Sequence, residues 1–251
     1  MRKEALQVCG SISNHLRNPI YVIISIIVFF LSGVSAETLQ VSNSTPGIQN
    51  AIDAASPGEE ILVYPGEYQE NLLIDKPITI TGISFGSSIP VIVPKTGPNA
   101  ITVLVDGVSL NALKIRNEEG IANSCIYVES DRNNITNMIL TGARNADGGI
   151  VLADNKENYI YNCTIINTDE AAISLLNSTR NIISNCTISL CRIGIDVSKS
   201  IGNSGEFNNI NHCDYGIVHG NRNTRADNPI ANTVFHYNYM NEPYNNTIGG
   251  P

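Results

Sequence analysis

Residues 158–168 read NYIYNCTIINT and residues 181–191 read NIISNCTISLC, so the letters Asn-Cys-Thr-Ile recur 23 positions apart. Sliding the second half of the chain against itself extends the match. Cys125, Gly149, Ala172, Gly194 and Gly216 form a column of small residues at steps of 24, 23, 22 and 22, each followed by isoleucine: Ile126, Ile150, Ile173, Ile195 and Ile217. Two residues further on stand Val128, Leu152, Leu175, Val197 and His219. Period-two alternation at such intervals is a short strand repeated along the chain. Two further columns read Asn134, Asn158, Asn181, Asn203 and Ile115, Ile139, Ile165, Ile188, Ile210.

The apolar pieces are too short for helices and are separated by Asn, Ser, Thr or Gly corners. One repeat cannot bury its own apolar face, whereas stacked neighbours can. The spacing therefore predicts an all-β fold, a right-handed parallel β-helix of about 22–24-residue coils, with six or seven coils between Ile61 and Tyr239. Equivalent residues would stack about 4.8 Å apart. A leucine-rich repeat would need its regular leucines and a helical segment, and a jelly roll would leave the columns without a cause. Residues 45–56, TPGIQNAIDAAS, place Ile48, Ala51, Ile52 and Ala55 at helical spacing, ended by Ser56-Pro57-Gly58. This short helix is expected to cap the open N-terminal end of the coil, blocking edge pairing.

The chain has 251 residues, a net charge of −8, no Trp and few charged side chains. Residues 1–36 combine Arg2, Lys3 and Arg17 with the apolar run IYVIISIIVFFL and then SGVSA, the pattern of an export signal; an uncleaved anchor is the alternative. Without Arg2, Lys3, Arg17 and Glu4, residues 37–251 keep 12 basic against 22 acidic side chains, a net of −10. Such an acidic domain is a poor partner for nucleic acid, whose binding rests on phosphate neutralisation. A membrane would be met only through the N-terminal segment, and the expected location is secreted or cell-surface. Asn-X-Ser/Thr sequons begin at Asn43, Asn134, Asn162, Asn177, Asn185 and Asn245.

Residues 48–82, IQNAIDAASPGEEILVYPGEYQENLLIDKPITITG, with NCTISLCRIGIDV at 185–197 and NTVFHYNYMN at 232–241, resemble the pectin lyase-like superfamily. Within it they are most similar to the NosD-like repeat proteins, named after a periplasmic accessory protein of nitrous oxide reductase maturation. The resemblance spans most of residues 46–245 and implies the β-helix fold. It implies little about activity, because the superfamily holds lyases, hydrolases, epimerases, adhesins and proteins of no assigned chemistry. It also implies inward asparagine ladders at the corners, and a substrate groove on the outer face of the strand after the small column. That row would be Thr102, Tyr127, Val151, Ser174, Asp196 and Val218.

Cys163 and Cys186 share a column with Asn208, while Cys191 and Cys213 share one with Thr168; Cys125 lies in the small column. All five positions suit a small buried thiol. Stacked coils also bring Cys163–Cys186 and Cys191–Cys213 into disulfide range, and Cys191, His212 and Cys213 are the candidate metal set. Asp147, Glu170, Arg192 and Asp214 stand two places before the small column, with Asp169 beside Glu170. This acidic row suits a calcium ion or a sugar, or is a solvated ladder neutralised by Arg192. The long loop at 141–149 lies beside it. Asp196 has no carboxylate above or below it, whereas glycoside hydrolysis needs a pair. The NTD at 167–169 and VHG at 218–220 lack the partner motifs of polygalacturonases, and Met138 and Met240 lie too far apart in coil position for a copper site.

No organic cofactor is called for, and calcium is the one ion the acidic row would take. The expected function is binding or display of an extracellular polysaccharide, or of other cell-surface components, without turnover. The expected ligand-binding residues are Asp147, Asp169, Glu170, Arg192, Asp196 and Asp214, with no catalytic residue assigned; the alternatives are a lyase or hydrolase of an acidic glycan using the acidic row, and a structural surface protein or a fragment of a longer one.

Overall fold

The structure is a computed structural model that describes residues 38–117, 120–143, 148–198, 200–219, 234–236 and 239–241. The expected export signal, the loop residue Asp147 and the side chain of His219 lie outside the described residues. Among the described residues the chain winds from Thr38 through three parallel sheets of nine, eight and seven strands, here called I, II and III, visited in that order from Glu60 onward. The coil makes about eight turns of about 23 residues. The strands Glu60–Val63 (sheet I), Gly66–Gln69 (II) and Leu72–Ile74 (III) make one coil, and Thr79–Gly82 starts the next.

Register follows chemistry. In sheet III, Ile126 pairs with Ile101 and Ile150, Ile150 with Ile173, and Ile195 with Ile217, as the columns require. All of these are buried. Because each isoleucine packs on the isoleucine one coil away, its loss would open a cavity, at a typical cost of about 2–5 kcal/mol for truncation to alanine. The small column is needed for a steric reason. A Cβ on Gly149 would lie 2.6 Å from the Ala172 carbonyl oxygen and 2.7 Å from Ile165 Cγ2.

One member of each of two expected columns is displaced by one residue, the others being buried as expected. The inward asparagine is Asn133, not Asn134, and the buried residue of sheet II is Leu140, not Ile139. Asn134 is exposed and pairs with Tyr159. The corrected ladder is continuous: the N–H groups of Val108, Asn133, Asn158 and Asn181 donate at 2.8 Å to Oδ1 of Asn133, Asn158, Asn181 and Asn203. Each buried amide thus satisfies a backbone donor of the preceding coil, which is what makes its burial tolerable. The residue before each ladder position takes left-handed backbone angles: Gly107, Arg132, Glu157, Arg180 and Gly202. A second left-handed column, Ala112, Asn137, Asn162, Asn185 and Phe207, turns the chain from sheet I to sheet II.

The N-terminal helix α1 (Ile48–Ala54) buries Ile48 and Ile52, as its spacing predicts. Its ends are satisfied from one coil away. Glu70 accepts the N–H groups of Ile48 and Gln49 at 2.8 and 2.9 Å. Lys76 Nζ donates to the carbonyls of Ile52, Asp53 and Ala55 at 3.0, 2.6 and 3.1 Å. A carboxylate at the positive end and an ammonium at the negative end complement the helix dipole and tie α1 to the first coil.

Candidate functional site

The expected acidic row comes together only in part. Glu170, Arg192 and Asp214 stack on successive coils, because Ala171 pairs with Ile193 and Ile193 with Tyr215. Arg192 Nη1 donates to Glu170 Oε1 at 2.6 Å, with the two side chains 45% and 30% exposed. At that exposure the pair contributes about 0–1 kcal/mol, yet it occupies the carboxylate that a cation would need. Asp169 and Asp214 are exposed, held by backbone bonds to Ala143 and Cys191. Among the described residues no three His, Cys, Asp or Glu side chains are placed to hold a metal ion.

The outer row of sheet III is not an open groove along its length. Thr102 and Tyr127 are half-buried, but Val151, Ser174 and Asp196 are 1%, 6% and 8% exposed. Asp196 sits in register between Ser174 and Val218.

The five described cysteines are free and buried. The Cys163 thiol faces the carbonyls of Ile135 and Tyr161 at 3.5 and 3.4 Å, and the Cys186 thiol that of Ser184 at 3.5 Å. Asn208 Oδ1 accepts the Cys186 N–H at 2.9 Å, so thiols and amide form one ladder. The neighbouring Cys186 thiol, with burial second, holds Cys163 well above the ordinary thiol range. Burial alone pushes Cys125 up to about 12. His212 is exposed while Cys191 and Cys213 are buried, so the expected metal set does not converge.

The concave surface lies elsewhere, on the outer face of sheet II over the first coils. Gln69, Val93 and Arg116 occupy one column there, since Gln69 pairs with Val93, and Ile92 with Ile115 one residue before. A cleft of about 390 Å³ is lined by Glu67, Gln69, Val93, Lys95, Arg116 and Ile121, among others. A second of about 550 Å³ shares Glu67, Gln69 and Lys95 with it, and extends to Ser42, Asn43 and Thr45 before α1. The two adjoin at these shared residues and are together called the trough. Arg116 Nη2 reaches Glu67 Oε2 at 2.6 Å over the intervening strand Pro90–Val93. Asn71 Oδ1 accepts the N–H groups of Lys95 and Thr96, both at 3.1 Å, and fixes the turn that presents Lys95. On the far rim Asn117 holds Ala122 through both amide atoms, at 2.6 and 3.1 Å. Exposed amide, ammonium, guanidinium and carboxylate groups over an apolar floor of Val93 and Pro94 can hydrogen-bond hydroxyls while packing against a ring.

Residues 52–249 match the family described as the periplasmic copper-binding protein NosD. No curated protein matches the chain. Among solved structures, the pectate lyase Pel9A aligns with a TM-score of 0.57 at 14% identity, over 72% of this chain and 55% of that one. The pectin methylesterase of Aspergillus niger aligns at 0.52 and 16%, over 83% and 87%. Escherichia coli ybhc aligns at 0.50 and 12%, over 81% and 84%. At such identities these neighbours share the fold. The chain spans about 55% of the length of Pel9A.

The copper in the family's description would call for soft sulfur or imidazole ligands. Met138, Cys163 and Cys186 do stack on successive coils, but all are sealed in the core, and the Cys163 and Cys186 thiols face backbone carbonyls. The described residues therefore do not make a copper site. What the match over 52–249 establishes, together with the parallel coil, is lineage: the chain belongs to the NosD family of periplasmic proteins.

Proposed function

We propose that the protein is an exported β-helix that binds extracellular polysaccharide in the trough on sheet II and does not cleave it. The observation that carries the reading is the trough itself, a polar channel across several coils with Gln69, Lys95 and Arg116 at its centre. Pectate lyase and pectin methylesterase, named for polysaccharide chemistry, are built on the same coil. Export agrees with the periplasmic description of the family, and residues 1–36 would supply the signal.

Binding without turnover is supported by what the trough's carboxylates do. Glu67 is engaged by Arg116, and Glu70 by the N-terminus of α1. Hydrolysis needs one carboxyl as acid and a second as base or nucleophile, and neither of these is disengaged. A glycan array run beside reducing-end and unsaturated-product assays tests the reading. Retention of a glycan with no product is expected; steady product release, or no retained glycan, would overturn it. Cell fractionation with N-terminal sequencing is expected to find the mature chain outside the cytoplasm, starting at Glu37.

A further inference from the structure

The fold sorts the asparagines. Among the described residues eight are buried, and none of these begins an Asn-X-Ser/Thr sequon. Seven are exposed, and five of those do: Asn43, Asn134, Asn162, Asn177 and Asn185. Strand parity is part of the cause. Two residues after the ladder positions Asn133, Asn158, Asn181 and Asn203 comes a buried one, so the hydroxyl a sequon needs is not found there. After the outward asparagines stand Thr136, Thr164, Thr179 and Thr187, none of them buried. Four of the five sequons share one side of the coil. Asn134 opens the sheet I strand Asn134–Thr136, Asn162 and Asn185 turn the chain from sheet I to sheet II, and Asn177 lies on the corner from III to I. Asn43 stands apart, lining the trough.

Each of these four amides has a hydrogen to give. The Asn134 side chain makes no hydrogen bond among the described residues. Nδ2 of Asn162 donates to Asn137 Oδ1 at 2.7 Å, that of Asn185 to the Tyr161 hydroxyl at 3.1 Å, and that of Asn177 to Asp154 Oδ1. An amide nitrogen carries two hydrogens, so each bond leaves one over. The surface beside Asn134 is apolar: Tyr159 stands next to it in register, then Ile182, 44% exposed. The Tyr159 and Tyr161 rings lie nearly parallel, 5.6 Å apart. A sugar tethered at Asn134 can pack on these rings and keep its hydroxyls in water. We infer that Asn134, with Asn162, Asn177 and Asn185 around it, is an acceptor of N-linked glycan that coats the sheet I side and leaves the trough open. The donor is a sugar carried on a polyprenyl phosphate or diphosphate. The bond from Nδ2 to the sugar C1 forms as the C1–O bond to the carrier breaks. The carrier phosphate keeps that electron pair, and the amide proton passes to a base of the transferase. The glycan is bulky and hydrophilic, and only an outward asparagine carries it without unfolding the coil. The inference rests on the export reading above, since the modification is made on exported chains.

The test is glycopeptide mass mapping of the protein purified from the cells that make it, with the same chain produced in a bacterium lacking N-glycosylation as the mass reference. The Asn134 peptide should be heavier by a glycan, and so should at least one of the peptides holding Asn162, Asn177 and Asn185. Asn134→Gln and Thr136→Ala should each remove the increment at Asn134, whereas Thr136→Ser, which keeps the hydroxyl, should retain it. Neither position is buried, and circular dichroism checks the fold. A chain found outside the cytoplasm with Asn134 unmodified overturns the proposal and leaves the export reading standing. A glycan confined to Asn43, or an increment that survives Thr136→Ala, overturns it as well. An unmodified chain held in the cytoplasm with residues 1–36 intact overturns both.

Discussion

Glu67 and Arg116 are 49 residues apart in sequence and joined at 2.6 Å across the strand between them. The pair is half-exposed, so its contribution to stability is small, about 0–1 kcal/mol. Its consequence is positional. It holds the guanidinium against the trough wall, and it engages the acid that stands beside Gln69 and Lys95. The corner at Glu170 and Arg192 uses the same device in the opposite sense, a cation occupying the carboxylate of the row that was expected to be functional.

The mixed column of thiols and amide leads to a first expectation. Asn208 Oδ1 accepts the Cys186 N–H, and its Nδ2 donates to the Ile183 carbonyl at 2.9 Å. Cys186→Asn should repeat that arrangement one coil earlier, and change stability in denaturant by no more than about 1–2 kcal/mol. A native Cys163–Cys186 bridge in mass spectrometry, with a loss of about 2–5 kcal/mol on its removal, would contradict the ladder.

The coil was legible in the sequence because register stacks like on like, and the sheet III columns from Cys125 to Gly216 are found where the spacing places them. The slips at Asn134 and Ile139 have a physical cause. The ladder steps shorten from 25 residues to 23 and then 22, and Asn133-Asn134 and Ile139-Leu140 offer chemically similar neighbours. A slip of one residue turns a side chain to the other face, so only the pairing decides. The trough was not legible because Glu67, Gln69, Lys95 and Arg116 come from early coils that lack the later columns, and from a turn set by Asn71. The one local signal was Arg116, outward beside the buried Ile115. The tie between α1 and Glu70 and Lys76 was hidden by a separation of more than twenty residues.

Alkaline stability should report Cys125. Its thiol is raised by burial from 9.0 to about 12 in the folded chain. A raised acid stabilises the fold fully below its unfolded value, and that contribution is lost as pH rises through the window from about 9 to 12, because the unfolded thiol ionises first. Unfolding midpoints should therefore fall across that window. Cys125→Ala, which suits a column already holding Ala100 and Ala172, should flatten the fall, and an unchanged slope would contradict the assignment.

Calcium separates the two readings of the acidic row. With Glu170 bound to Arg192, millimolar calcium should leave Tm unchanged apart from weak screening. A site would instead stabilise the fold by about 2.7 kcal/mol at a hundredfold excess over its dissociation constant. A calcium-dependent rise in Tm abolished by Glu170→Gln would restore the row as a cation site.

Lysine footprinting tests the trough most directly. The full-length protein is acetylated with a limiting amine reagent, with and without a saturating oligosaccharide of the glycan retained on the array, and each lysine is quantified by peptide mass spectrometry. Lys95 should be protected by the sugar, while Lys156, paired with Asp131 on a sheet III-to-I corner, should react as before. Unchanged Lys95 with the sugar bound, or protection centred on Lys156, would contradict the placement of the binding site on sheet II.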